Sequence, residues 1–570
     1  MERWCNMAEI IFKRTCNYWI DAGIVGFFDT LHKPVPNSEA IGEWPKTIKS
    51  YTGIDTSLTP DQLILTGEEC NIDRALSYAL ERIRTTLYDV STEKQITSPE
   101  KDGRIKQMST LAGDVIASGK QAEYTYFRQK IIKNIGMINT FLPIEHKKTK
   151  KLSTCVFCGQ PTNLKLALKE ANEVFIGQTS KSSPFVEGDS SNRCFHSHHN
   201  GSEKCWQCGY VTFFAPLLLF YRKQPGSDDT YYALPYIPGN LLVTHLLYRS
   251  LTGKRGLARV SGADHTRINY ESDFKIMPRG IPSFTLTFYF DLFERLLPKT
   301  TTKLLQTSQR IGLIDDRGSV FQTALFLKRD SGQKSFIMRE TTVDRSAYFI
   351  KLFTYLKKHL DDENKGKLSY GLHSLIRRAI GKGNQLQRLS VIRASQALTE
   401  GRHVYRFLLS ILSSDLKEDK VQPYDVANQI TNLFQKYDQW LFTKEDEFMA
   451  NLVEQAKNSG WYLSQAFWNC SDWDDEEKKN IIKRYYYGIE RSPSPVKFLE
   501  QVRHAYKKVE KEIPKEMVFH NKDGVEDIKK FEVYRVYFLS GMLSGLINKQ
   551  QVSAIPDLAQ TNETEDINND

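Results

Sequence analysis

Residues 155–159 read Cys-Val-Phe-Cys-Gly, and residues 205–209 read Cys-Trp-Gln-Cys-Gly. Two thiolates three positions apart on a tight turn supply half of a tetrahedral zinc shell, so two such pairs predict a complete four-thiolate site. The glycine after each pair can adopt a positive φ angle, which lets backbone N–H groups point at the sulfurs. The predicted zinc ligands are Cys155, Cys158, Cys205 and Cys208.

The long segment between the two pairs leaves other interpretations open. The run Cys194-Phe195-His196-Ser197-His198-His199 offers ligands that could replace one cysteine pair. A redox role is disfavoured because no thioredoxin-like βαβ pattern surrounds either CxxC. A further alternative is that the cysteines bind no metal and simply pack as small apolar side chains. A closed shell of four thiolates has no open coordination position, so the expected Zn²⁺ is structural rather than catalytic.

Length and composition predict a soluble chain of several domains. The 570 residues exceed what one hydrophobic core usually supports, and 40% of them are hydrophobic while 26% are charged. The net charge of +10 favours a polyanionic partner. Nine cysteines, an odd number that includes two CxxC pairs, suit a reducing cytoplasm better than a disulfide framework.

The N-terminus carries Glu2, Glu9 and Lys13 and lacks the uninterrupted apolar stretch of a signal peptide. The longest apolar run, Val211 to Tyr221, is interrupted by Pro216 and is too short to cross a bilayer. We therefore expect a cytoplasmic protein without a membrane partner.

Periodicity predicts an α+β fold that becomes all-helical toward the C-terminus. A buried helix is expected over residues 17–28, with Asp21 as its cap, and amphipathic helices are expected over 62–87 and 120–142. The helical pattern resumes at Ser346. The middle of the chain is predicted to hold strands at Tyr231–Pro238, Ser283–Phe290, Ala324–Lys328 and Ser335–Arg339, with a helix at Leu241–Ser250 and a hairpin tip at Ser331-Gly332.

The same patterns divide the chain into five segments. The expected segments are 1–145, mostly helical; 146–345, α+β with the zinc insertion; 346–445, basic and helical; 446–550, a helical bundle; and 551–570, a disordered acidic tail.

Three acids near the start of a predicted helix are a further candidate site. Asp472, Asp474 and Glu476 could bind a metal, but a capped helix start accounts for them more simply.

Two basic stretches are candidates for nucleic-acid contact. A glycine-flanked basic loop spans Thr252 to Arg259, although a solvated turn explains it equally well. Residues 365–406 contain nine Lys or Arg and only one acid, Glu400, whereas ordinary solvated helix faces alternate in sign. The predicted contacts are Lys254, Arg255 and Arg259 to duplex DNA, and Arg377, Arg378, Lys382, Arg388 and Arg393 to a phosphate backbone.

Three features together resemble one family. They are the stretch Trp19-Ile20-Asp21-Ala22-Gly23-Ile24, the two separated CxxC-Gly pairs, and the helical C-terminal part. The chain resembles the large subunit of type I CRISPR interference complexes (Cascade), and within it the subtype I-B branch of the Cas-eight family.

The resemblance implies a non-catalytic role in antiviral defence. Such a subunit recognises a protospacer-adjacent motif in double-stranded DNA, promotes strand opening and R-loop formation, and supports recruitment of a helicase-nuclease, while CRISPR RNA reads the sequence. The implied partners are CRISPR RNA, target DNA, the backbone and guide-processing subunits of Cascade, and a small subunit.

The small subunit could come from this same gene. Lys444-Glu445-Asp446-Glu447 requires purine-rich codons shortly before the ATG of Met449, which could form an internal ribosome-binding site. Relatives of the resembled family often make a small subunit this way, which implies a separate product of residues 449–570. A plain helical domain with accidental codons is the alternative.

Two further function classes stay open. A zinc-stabilised nuclease or modification enzyme could use Asp315 and Asp316 to hold a metal, although Asp315-Asp316-Arg317-Gly318 is also a typical turn. A scaffold protein would lack affinity for DNA.

Overall fold

The computed structural model describes residues 7–32, 47–79, 155–159, 206–223, 229–252, 258–260, 268–270, 280–296, 321–361, 368–417 and 425–547, apart from single residues and short stretches within these ranges. Two compact units account for the chain. The first comprises Met1–Asp273 with Asp291–Tyr348, and the second comprises Phe274–Phe290 with Phe349–Asp570. The described elements are mostly helical with two small sheets, which confirms the α+β class at this level.

The first unit begins with a three-stranded antiparallel sheet in which the third strand lies in the centre. Residues 62–68 form this central strand, so the predicted helix over 62–87 is wrong for its first part. Leu63 and Leu65 are buried while their neighbours are not, because alternate side chains of a strand point to opposite faces. The strands are β1 (Met7–Lys13), β2 (Asp55–Leu58) and β3 (Gln62–Glu68).

The predicted N-terminal helix is confirmed as α1 (Tyr18–His32), which is buried on most sides. Its cap is Asn17, whose side-chain oxygen accepts hydrogen bonds from the N–H groups of Trp19 and Ile20 at 3.0 and 3.2 Å. Asp21 instead lies in the first turn and accepts from Thr15. The expected capping role of Asp21 is therefore wrong, because the helix starts earlier.

The second sheet of this unit has six strands. Their order is β6 (Ala258–Val260), β7 (Ile268–Tyr270), β4 (Phe220–Lys223), β5 (Asp229–Tyr236), β8 (Gln322–Ser331) and β9 (Lys334–Val343). All its neighbouring pairs are antiparallel except β4 with β7. The predicted hairpin, the strand near Tyr231 and the helix near Leu241 are confirmed. This region also contains α2 (Ile48–Thr52), α3 (Trp206–Val211) and α4 (Leu241–Thr252).

Residues 283–290 are helical, so the predicted strand there is wrong. They lie in α5 (Ile281–Leu296), where the aromatic residues and the alternating Ser and Thr residues are all buried. The hydroxyl of Thr285 donates to the carbonyl of Ile281 at 2.8 Å, and that of Thr287 donates to Phe284 at 2.9 Å. A helix that is buried on all sides needs no polar face, and its Ser and Thr hydroxyls can bond to its own carbonyl groups. The alternation of polar and apolar residues therefore does not indicate a strand here.

From Ser346 onward every described element is a helix, as predicted. None of the described helices is long and apolar enough to cross a membrane. The elements are α6 (Ser346–Leu360), α7 (Leu368–Ile380), α8 (Gln385–Glu400), α9 (Tyr405–Lys417), α10 (Asp425–Glu445), α11 (Glu447–Trp468), α12 (Asp475–Glu490), α13 (Pro495–Lys508) and α14 (Ile528–Ile547).

The capped start predicted near residues 472–476 is confirmed at α12. The Asp474 side chain accepts from the N–H of Glu477 at 2.8 Å, and the Glu477 carboxylate accepts from the N–H of Asp474 at 3.2 Å. This reciprocal pair of hydrogen bonds is a capping box. The further acids in the first turn are stabilised by the positive end of the helix dipole.

Candidate metal centre and basic surfaces

Three of the four predicted zinc ligands lie together. The sulfur atoms of Cys155, Cys158 and Cys208 are all within 4.8 Å of one another, and each residue is present as a thiol. Tetrahedral Zn–S bonds of about 2.3 Å place neighbouring sulfurs about 3.8 Å apart, so a small contraction would complete three corners of a site. Within the described residues this is the one group of His, Cys, Asp or Glu with metal-binding spacing.

The first pair is held by the expected tight turn. Gly159 has a φ angle of 73°, and its N–H donates to the carbonyl of Cys155 at 2.9 Å. Nothing lies within 4 Å of where its β carbon would be, so glycine is required here by the backbone conformation and not by space. Gly209, however, lies within α3, so the positive φ predicted for it is wrong. Helix α3 itself presents Cys208 to the cluster.

The cluster borders the wall formed by β1 and α1. A small pocket beside Cys158 and Cys208 is lined by Ile11, Ile20 and Val211, with Lys13 and Gln207 at its polar side. Cys155 and Cys208 are 3% and 4% exposed, so these two thiols are shielded from water, while Cys158 is partly exposed. Burial of the sulfurs in an apolar shell suits a structural ion that stabilises the local fold.

Several predicted ligands fall beyond the described residues. Cys205 immediately precedes α3 in sequence, and its role as the fourth ligand stays a prediction. The alternative run from Cys194 to His199 and the acids Asp315 and Asp316 also lie outside the described part of the chain. Three thiolates and a fourth soft ligand fit Zn²⁺, because this ion takes sulfur and nitrogen donors in tetrahedral geometry.

Four of the predicted nucleic-acid contacts lie on two adjacent helices. Arg377 and Arg378 occupy the last turn of α7, where cations are stabilised by the negative end of the helix dipole. Arg388 and Arg393 lie on α8, about 140° apart around its axis, so they do not share a face. Arg377 and Arg393 are exposed, and the other two are partly buried.

Of the remaining predicted contacts, only Arg259 lies within the described residues. Lys254, Arg255 and Lys382 lie outside the described residues. Arg259 belongs to β6, where its backbone pairs in register with Asn269 of β7.

A second basic surface was not predicted from the sequence. Residues 478–511 contain ten Lys or Arg against three Glu, and a simple charge count would have found them. They belong to α12, α13 and the flanking turns, and Lys508 lies 5.2 Å from the ring centre of Trp473. The exposed cations of this α12–α13 surface are Arg484, Arg491, Lys497, Arg503, Lys507, Lys508 and Lys511.

A buried polar network joins two helices of the second unit and the turn that precedes α9. Asp438 of α10 is 0% exposed and accepts from Tyr537 of α14 at 2.5 Å and from the N–H of Val404 at 3.0 Å. The ring nitrogens of His403 lie 3.1 Å from Asp438 and 3.4 Å from Glu445. Burial acts to lower the pKa of His403, but its hydrogen bonds to the two carboxylates and their charges outweigh burial and raise its pKa.

No protein-family model matches this chain, and no curated protein matches it.

Proposed function

We propose that this chain is a non-catalytic large subunit of a CRISPR RNA-guided surveillance complex of the type I class. In that role it binds double-stranded DNA beside a protospacer-adjacent motif, promotes R-loop formation, and supports recruitment of a helicase-nuclease. Its partners would be CRISPR RNA, target DNA, and the backbone, guide-processing and small subunits of Cascade. The proposal rests on the family resemblance of the sequence and on the chemistry of the described surfaces.

The observation that carries the proposal is the concentration of cations on two helix pairs of the second unit, α7 with α8 and α12 with α13. Arginines collect on α7 and α8, and ten basic residues lie between residues 478 and 511. Phosphate backbones are bound mainly by such Lys and Arg surfaces, because neutralising phosphates releases condensed counterions. In such a complex the guide RNA reads the target sequence by base pairing, so the protein needs to bind only the DNA backbone and a short motif.

The thiol cluster supports the proposal in a separate way. It lies in the first unit, against β1 and α1, and two of its three cysteines are buried. A closed sulfur shell would supply folding stability without an open position for substrate. We therefore assign the proposed Zn²⁺ to structure, and the binding of nucleic acid to the basic surfaces.

The test is reconstitution of the full chain with guide-loaded backbone and guide-processing subunits. We expect the chain to join the assembly and to increase its affinity for duplex DNA that carries a matching target and motif. A randomised-motif library would identify the motif. Failure of the full, zinc-loaded chain to join any guide-loaded type I assembly, together with no affinity for duplex DNA at moderate salt, would refute the proposal.

A magnesium-dependent assay on the isolated chain addresses the enzyme alternative. Intact duplex and single-stranded DNA are expected after prolonged incubation with Mg²⁺. Cleavage that persists in a highly purified preparation and is lost in an Asp315→Asn, Asp316→Asn variant would favour the nuclease instead.

A further inference from the structure

Helix α8 buries three polar side chains, Gln387, Ser390 and Ser395, and exposes two leucines, Leu386 and Leu389. On the buried side, the Gln387 amide donates to the carbonyl of Ile411 at 2.7 Å. Ser390 lies 2.8 Å from the hydroxyl of Ser410, and the hydroxyls of Ser395 and Ser283 are 3.1 Å apart. The buried polar groups are thus satisfied within the second unit, so this orientation of the helix is well determined.

The outward face of α8 is apolar near its N-terminal end. Leu386 is 58% exposed and Leu389 is 41% exposed. At 100° per residue, positions 386, 389 and 393 lie within about 60° of the helix circumference, so Arg393 follows the two leucines on one stripe, about one turn beyond Leu389. Exposed leucines that share a stripe are informative, because apolar patches on soluble proteins commonly mark binding sites.

Positive charge accompanies this stripe. Arg393 belongs to the stripe, and Arg377 is exposed at the end of the adjacent helix α7. The acid at the far end, Glu400, accepts from Gln396 at 2.7 Å and forms an ion pair with Arg402. Arginine beside apolar side chains is typical of protein interfaces, whereas a phosphate backbone would gain nothing from the leucines.

A segment of this same chain has the matching chemistry. Residues 551–570 contain no Lys or Arg, and they include the apolar residues Ile555 and Leu558. The 23 residues from 548 to 570 follow α14 directly. An extended chain of that length spans about 75 Å, and a unit of roughly 240 residues has a diameter of about 45 Å, so the segment can reach any of its faces. The acids of the segment are Asp557, Glu563, Glu565, Asp566 and Asp570.

We propose that residues 551–570 dock on the outward face of α8. Ile555 and Leu558 cover Leu386 and Leu389, and the acids that follow neutralise Arg393 and Arg377. The docked segment then competes with polyanions for this surface. The inference goes beyond the proposed function, and its test requires no nucleic acid.

The experiment measures binding of a fluorescent peptide of residues 551–570 to the full chain. The chain used carries amides at its own five tail acids, so that its tail does not compete. We expect saturable binding that weakens as salt rises, and at least tenfold weaker binding to a Leu389→Glu, Arg393→Glu variant. The matched control is Val496→Glu, Arg503→Glu on α13, where Val496 is 55% exposed and Arg503 is also exposed.

Three outcomes would overturn the proposal. The first is equal affinity for the α8 variant and the α13 control. The second is equally tight binding of a peptide whose five acids are replaced by amides. The third is concentration-dependent self-association of the unaltered chain that disappears when its tail acids are neutralised, since this would place the tail on a second copy. Circular dichroism and thermal melting of both variants exclude unfolding as the cause of weakened binding.

Discussion

Gly541 of α14 lies directly against the backbone carbonyl of Lys457 in α11, and a β carbon at position 541 would overlap that oxygen. Gly460 of α11 meets the carbonyl of Phe538 in the same way. Close contact continues where the Ser464 hydroxyl donates to the carbonyl of Met542 at 2.8 Å. The two helices α11 and α14 therefore pack backbone to backbone, and only glycine permits this distance.

We expect Gly541→Ala to lower the free energy of unfolding by about 3 kcal/mol, because the added methyl must push two helix backbones apart. Urea denaturation monitored by circular dichroism would measure the change. Gly488→Ala in α12 is the matched control, since only the Gln501 side chain contacts its added methyl at 3.0 Å. That control should be neutral or stabilise by up to about 1 kcal/mol through helix propensity. Equal effects at the two positions would contradict the close packing.

The thiol cluster predicts about one zinc per chain when the protein is produced with zinc available. Cys208→Ser should reduce the zinc content at least tenfold and lower the melting temperature, because the ion binds the folded state. Elemental analysis and thermal melting measure the two effects. Cys470→Ser is the control, because Cys470 lies near the end of α11 and outside the cluster. Full zinc content in the Cys208→Ser protein would rule out this site.

The network around His403 predicts a pH-dependent contribution to stability. The folded-state pKa of His403 is raised above its ordinary value of 6.5. Protonation therefore stabilises the fold fully below pH 6.5, and this contribution is lost as the pH rises through the folded-state pKa.

The unfolding free energy of the unaltered chain should exceed that of His403→Gln by more at about pH 6 than at about pH 9. Urea denaturation at both pH values measures this difference. Thr443→Ala, an exposed replacement on α10, is expected to show the same difference from the unaltered chain at both pH values. If the unfolding free energies of the unaltered chain and His403→Gln differed by the same amount at both pH values, protonation of His403 would not contribute to stability.

The two basic surfaces make separate predictions for DNA affinity. Replacing Arg377, Arg378, Arg388 and Arg393 by Ala should weaken binding and reduce the slope of log affinity against log salt by about 0.9 for each phosphate that the variant no longer neutralises. Fluorescence anisotropy over a salt series measures the slope.

The same replacement of Arg484, Arg491, Lys497 and Arg503 tests the α12–α13 surface. Arg14→Ala is the control, because Arg14 is paired with Asp61 at 3.2 Å. Unchanged slopes for both surface variants would count against phosphate binding by either.

The internal start at Met449 predicts a short product of residues 449–570. Met449 lies in α11 and is 5% exposed, while the cap of that helix, Asp446, would be absent from the short product. Expression of the gene with Met449→Leu should remove the short band on a blot for the C-terminal part. A short band that survives this change would reject the internal start.

The sequence determined those features that depend on neighbouring residues. Cys155, Cys158 and Gly159 form their turn because the left-handed conformation and the hydrogen bond that closes it are local. The hairpin of β8 and β9 and the capping box between Asp474 and Glu477 are likewise set within a few residues. The cysteine spacing also identified three members of the cluster, because two CxxC pairs in one chain seldom occur unless the cysteines bind a metal.

Tertiary structure decided what depends on distant partners. Residues 283–290 alternate like a strand, yet burial on all sides makes them a helix. Residues 62–68 form a strand because β1 and β2 supply hydrogen bonds on both edges. The contact of Gly541 with Lys457 joins residues 84 positions apart in the chain, and no local pattern specifies it. The outward leucines of α8 are recognisable only once its buried serines show which face is inside, because burial is a property of the packed chain.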